Sequence, residues 1–261
     1  MIGGRLTDWA APRLRGLGER IQQRRRRLVG ALKGKPVAHF IHVGKTGGTA
    51  IKQALRSCPD AGAYTLFVHG HAQTLRGVPA GEKVVFFLRD PVSKFVSGFD
   101  YRLRGSLPHF DIPWRPHEAE AFARFTSAAA LAKALSSEDP DERARAGQAM
   151  RSIHHVRDSV VARWFESEAY FRSRLDDVLF IGFQEDLAAD FERLKRVLGL
   201  PPALTLPGPD TVAYQKSPTP PEPLDTVARA NLVAWYADDV RFYALCRRLR
   251  DEEPTPSDRA A

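Results

Sequence analysis

Gly44-Lys45-Thr46-Gly47-Gly48-Thr49 lies between an apolar run and a helical pattern, and its composition suits an anion. Glycines let a backbone approach a phosphate closely, and N–H groups at a helix start point toward it. Lys45 adds a mobile positive charge, Thr46 and Thr49 add hydroxyls, and Ala50 follows at the start of the helix. A second group, Arg89-Asp90-Pro91 with Ser97 further along, offers a guanidinium and a hydroxyl beside another helix start. A third, His69 and His71 in Val68-His-Gly-His-Ala72, offers imidazoles that accept protons near neutral pH. Together these residues suit transfer of an anionic group to a hydroxyl. Lysine would stabilise the developing charge and a histidine would remove the proton. The triphosphate-binding pattern G-x-x-x-x-G-K-[ST] is met only at its end. Its first glycine would fall at His39, and the glycine pair here follows the lysine.

These residues need a frame to hold them. Val37–Val43, Tyr64–Val68, Lys83–Leu88 and Val178–Ile181 are short apolar runs that read as strands. The third has no polar alternation, as expected of a strand covered on both faces. Helices are expected from Thr49, from Pro91 and over Glu185–Leu198, the last stopped by Gly199 and Pro201. Residues 118–174 are helical in pattern without a recognisable motif, and Leu224–Arg250 reads as one long helix. Eight of the 23 residues from Pro201 to Pro223 are proline, which marks an irregular loop. Strand, loop and helix in repetition predict an α/β fold, with a central parallel sheet flanked by helices. His69 and His71 then lie at the C-terminal end of the second strand, where open parallel sheets bind ligands.

The 261-residue chain carries a formal charge of +8. Residues 1–36 hold ten Lys/Arg and two acids, so they account for the whole excess (10 − 2 = +8) and the remainder is neutral. A protein that coats nucleic acid is therefore not expected. The division is a basic leader (1–36), a transferase-like domain (37–250) and a polar tail (251–261). Leu14, Leu17, Ile21, Leu28 and Leu32, interrupted by Arg24 to Arg27, make the leader an amphipathic surface for anionic lipid. Two cysteines, Cys58 and Cys246, exclude a disulfide scaffold, and no zinc spacing occurs. No signal-peptide pattern follows the positive leader, so a cytoplasmic protein is expected, peripheral at the inner membrane face. The Arg-, Ala- and Pro-rich composition suggests a bacterial source.

His42-Val-Gly-Lys-Thr-Gly-Gly-Thr49 resembles the strand–loop–helix of sulfotransferases that use 3′-phosphoadenosine-5′-phosphosulfate (PAPS). In particular it resembles their carbohydrate branch, which includes heparan sulfate 2-O-sulfotransferase and usually reads H-x-P-K-T-G-G-T. Gly44 replaces the proline. Leu88-Arg-Asp-Pro-Val-Ser-Lys-Phe-Val-Ser-Gly-Phe99 is similar to the family's R-D-P-x-x-R-x-x-S-x-F, with Lys94 in place of the second arginine. Phe180-Ile-Gly-Phe-Gln-Glu-Asp-Leu187, the Leu198-Gly-Leu-Pro201 ending and the aromatic–acidic helix at Trp235–Tyr243 fit as well. The resemblance implies a P-loop-like sulfotransferase fold with Gly44, Lys45, Thr46, Gly47, Gly48, Thr49 and Ala50 around the 5′-phosphosulfate. It implies Arg89 and Ser97 on the 3′-phosphate, with Lys216, beside Tyr214 and Ser217, in a late covering loop. His69 would be the base and His71 its support, with no metal required. The acceptor would be a hydroxyl of a carbohydrate, glycan or glycolipid. The alternatives are a P-loop kinase using ATP and magnesium, or a non-catalytic membrane-associated binding protein on the same fold.

Overall fold

The four apolar runs become β1 (Val37–Ile41), β2 (Thr65–Val68), β3 (Lys83–Leu88) and β4 (Val178–Phe183) of one parallel sheet, ordered β2-β1-β3-β4. The computed structural model describes residues 24–58, 62–105, 112–208 and 222–252. The chain leaves β1 for β2 on one side and then crosses to β3 on the other. That reversal puts a topological switch point at the C-terminal ends of β1 and β3, where open α/β sheets take their ligands.

After Lys83, β3 is apolar and buried, and both its faces are covered. Val84, Phe86 and Leu88 join Phe165, Phe171 and Phe242, whereas Val85 and Phe87 join Ile51, Phe180 and Leu194. The second group lies under α2 (Gly48–Ser57) and α8 (Leu187–Leu198). The first lies under a π-helical turn (Val161–Phe165), α7 (Glu168–Ser173) and α10 (Ala237–Asp251). A separate helical core around Phe95, Phe99, Phe122 and Met150 is built by α3 (Pro91–Leu103), α4 (Pro116–Arg124), α5 (Ala128–Ala134), α6 (Pro140–Ser152) and α9 (Thr226–Trp235). Among the described residues, the leader contributes α1 (24–32), which lies against the edge strand β2. Gly30 permits that approach, since a Cβ there would sit 1.9 Å from Thr65 Oγ1.

The expected long C-terminal helix is instead two, broken at Tyr236 (φ −101°, ψ 30°). The break has a use. Tyr236 OH donates to the Val156 carbonyl (2.6 Å), and buried Asp239 accepts from Ser159 Oγ (2.7 Å) and the N–H groups of Val160 (2.8 Å) and Val161 (3.1 Å). Both residues therefore hold one segment, 153–161, in the stretch where the sequence showed no motif. Lys94, buried on α3, donates to the Asp158 carbonyl (2.8 Å) of the same segment.

Glu118 secures its other end. It is fully buried (0% exposed) and accepts from Arg102 Nε (2.9 Å), Arg102 Nη2 (2.6 Å) and the N–H groups of Arg115 (3.0 Å) and His154 (3.0 Å). Burial alone would raise its pKa, but the hydrogen bonds from Arg102 and the two amides outweigh burial and hold it at about 2. Its contribution is thus present above the ordinary carboxylate range and fades as pH falls toward about 2. Glu118→Gln is expected to lower the free energy of unfolding by about 3–5 kcal/mol at neutral pH. Urea denaturation would measure the loss, and repeating it in acid should show the gap from wild type closing.

Candidate active site

The loop at the end of β1 is shaped by three residues. Gly47 caps α2 in the left-handed region (φ 77°), which glycine adopts at no steric cost. At Gly48 a Cβ would lie 2.2 Å from His42 Cδ2, so the His42 ring fills the space a side chain would need. Lys45 is also left-handed (φ 65°) without being glycine, a conformation that costs about 1–2 kcal/mol and persists where surrounding structure enforces it. Among the described residues, the N–H groups of residues 45–49 meet no carbonyl, while Ala50 N–H is spent on the Gly47 carbonyl (3.1 Å). Thr46 departs from expectation: its hydroxyl donates inward to the Val43 carbonyl (2.9 Å) and is 1% exposed. It stiffens the loop and offers no hydroxyl to a ligand. Thr49 is half-buried in the first turn of α2.

Cations converge on these free amides. Lys45 Nζ lies 3.9 Å above the Tyr101 ring. Burial, with Arg89 and Arg104 as like charges nearby and Asp100 opposing them, brings its pKa down to about 7. Arg89, just past β3, reaches the Lys45 carbonyl with Nη1 (3.5 Å), and its buried Nε has no hydrogen-bond partner among the described residues. Burial lowers the Arg89 pKa against the opposing pull of Glu185 and Asp90. Neither Lys45 nor Arg89 forms an ion pair among the described residues. A buried guanidinium N–H without an acceptor among the described residues, beside a lysine whose charge burial disfavours, is an arrangement an anion could occupy. Ser97 is half-buried on α3, and its hydroxyl makes no hydrogen bond among the described residues. Lys216, Tyr214 and Ser217 lie outside the described residues, as do His109 and Leu14, Leu17 and Ile21 of the leader.

The two histidines after β2 face different surroundings. His69 Nε2 meets His39 Nδ1 (2.8 Å), and His39 Nε2 meets Glu82 Oε2 (2.5 Å), which Arg27 of α1 grips with both Nη atoms. A carboxylate only accepts, so His39 carries its hydrogen on Nε2 and His69 donates from Nε2 to His39. Burial, then His39 and Arg27, brings the His69 pKa down to about 4. His71 Nδ1 lies 3.1 Å from the His42 carbonyl, and its ring stacks 3.9 Å from that of His42. Because that carbonyl accepts, Nδ1–H is the donor and the free lone pair of His71 is on Nε2. Burial lowers the His71 pKa, so the ring is neutral near pH 7.

Trp164 ties His71 to the loop. Its Nε1–H donates to the His71 carbonyl (3.2 Å), while its six-membered ring lies 3.5 Å from where a Gly44 Cβ would be. His155, which the sequence left without a role, arrives at the same place. Its Nδ1 is 3.8 Å from that Gly44 position, its ring meets Tyr101 edge-on (5.6 Å), and its backbone is left-handed (φ 68°). Gly98 of α3 admits it, since a Cβ there would be 3.1 Å from His155 Cβ. Burial, His154, Lys45 and His71 together bring the His155 pKa down to about 2. The signal that could have flagged this segment is the Ser97-Gly98 pair, a glycine inside a helix otherwise rich in large side chains.

Among the described residues, one group, His154, His155 and Asp158, brings metal-ligating atoms within 4.8 Å of one another. Asp158 is already paired to Arg163, and Lys94 donates to its carbonyl. That cationic surrounding suits an anion better than a metal ion. Compared with known proteins, the chain matches no family model and no curated sequence, so the chemistry of this site is read from its own geometry.

Proposed function

We propose that this protein is an O-sulfotransferase on a P-loop-like fold, moving the sulfuryl group of PAPS to a hydroxyl of a carbohydrate or glycolipid-like acceptor. The observation that carries the reading is the meeting of Lys45 and Arg89 with five free amides at the switch point of the sheet. The unpartnered Arg89 Nε fits a ligand with a second anionic group away from the loop, as the 3′-phosphate would be. Bound PAPS supplies an activated sulfuryl group. Residues 44–49 would hold the 5′ end, Arg89 and Ser97 the 3′-phosphate, and Lys216 would belong to a covering loop. Lys45 leaves its resting place on Tyr101 and follows negative charge to the leaving oxygen. His71 Nε2 removes the acceptor proton, with Nδ1–H anchored on the His42 carbonyl. We give His71 the base role expected of His69, because Trp164 ties His71 to the loop whereas His69 is bound into the His39–Glu82 pair. His69 is a supporting residue at the same strand end.

The kinase alternative has less support. The hydroxyl after the loop lysine is a magnesium ligand in P-loop kinases, and Thr46 is buried on the Val43 carbonyl. Calorimetry with the product nucleotide, 3′-phosphoadenosine-5′-phosphate (PAP), separates the readings. PAP is expected to bind at least about tenfold more tightly than adenosine 5′-phosphate, which lacks the 3′-phosphate. At about pH 8 its binding should also take up a proton, since a bound dianion raises the depressed pKa of Lys45. Equal affinities, or tighter binding of ATP with magnesium, would sink the proposal.

A further inference from the structure

Among the described residues, α1 is held with one face inward and the opposite face exposed. Gly30 packs on Thr65, Arg27 grips Glu82, and Arg26 lies over the Phe67 ring (5.9 Å). At about 100° per residue, these three positions centre on one side of the helix. Leu28, Leu32, Arg24 and Arg25 centre roughly 180° away. Leu32 (80% exposed) and Leu28 (63%) are the most exposed large apolar side chains among the described residues, and Arg24 and Arg25 are exposed with them. The Gly30 and Arg27 contacts fix which face of the described helical residues, 24–32, points outward.

We propose that this outward face of α1 docks the protein on an anionic lipid bilayer, with Leu28 and Leu32 entering the interface and Arg24 and Arg25 meeting headgroup phosphates. Charge complementarity selects the partner, for the leader carries ten basic and two acidic residues and the body carries no net charge. Apolar side chains flanked by arginines on one helical face are the composition of an in-plane anchor. No helix among the described residues is long and apolar enough to cross a membrane, which fits contact at the surface. The inference does not depend on the sulfotransferase reading.

Co-sedimentation of the full chain with vesicles of equal parts phosphatidylglycerol and phosphatidylcholine tests it. The wild type should pellet with these and far less with phosphatidylcholine alone. Leu28→Ser with Leu32→Ser should weaken binding about tenfold or more, as loss of two apolar contacts requires. Arg24→Gln with Arg25→Gln should weaken it and flatten its salt dependence. Leu28→Trp, a mild change on an exposed side chain, should bind and shift its emission to the blue. Binding that ignores both leucines would overturn the proposal. So would a wild-type dimer that the leucine substitutions make monomeric without any vesicle binding.

Discussion

Lys45→Ala is expected to lower kcat for sulfuryl transfer about a thousandfold while leaving most of the affinity for PAP, because the lysine acts where charge develops. The free amides of residues 45–49 and Arg89 remain to hold the nucleotide, so binding and chemistry should separate. Resting Lys45 is half-buried, crowded by Arg89 and Arg104, and poised on Tyr101 with a pKa of about 7. Lys45→Gly provides the control for folding. It removes the same charge and also relieves the left-handed backbone at φ 65°, so its melting temperature should equal or exceed that of the wild type. Loss of turnover in a protein at least as stable would place the effect in the chemistry.

His71→Ala should cost about a hundredfold to ten-thousandfold in kcat, the range for loss of a general base. His69→Ala should cost less, since its Nε2 is committed to His39. The pH dependence carries the same distinction. Burial lowers the His71 pKa, so its neutral, active form persists below the ordinary histidine range. Wild-type kcat should therefore stay level through neutrality and fall only as pH drops below that range. If His71→Ala retained turnover and His69→Ala lost it, the roles would revert to the order implied by the resemblance.

The parts of the site that were legible in the sequence are local ones. Lys45, Gly47 and Gly48 lie within four residues at a strand–helix junction, and Arg89 lies between β3 and the start of α3, so spacing was enough to single them out. The limits of β3 were legible too, since after Lys83 it is a continuous apolar run covered on both faces, whereas β1 ends at Ile41, short of Val43, and β4 runs on to Phe183. His155 was not legible, because tertiary packing against Gly98 and Gly44 brings it to the loop from a distant, motif-free stretch. Trp164 is a core aromatic at 2% exposure, and its indole N–H also holds the His71 carbonyl. The helix break at Tyr236 was hidden because its cause, the Val156 carbonyl, lies in another segment. Thr46 misled in the opposite direction. Its residue type suits a phosphate ligand, and only the fold reveals that the hydroxyl faces Val43.

The most direct measurement is turnover of radiolabelled PAPS with a panel of glycan and glycolipid acceptors, comparing wild type with Lys45→Ala and His71→Ala. Label should appear in a hydroxyl-bearing sugar with matching release of PAP, and each substitution should lower its rate by about a hundredfold or more. A wild-type protein that binds PAP but transfers no label to any acceptor, or a Lys45→Ala protein that transfers at the wild-type rate, would contradict the assignment of this site to sulfuryl transfer.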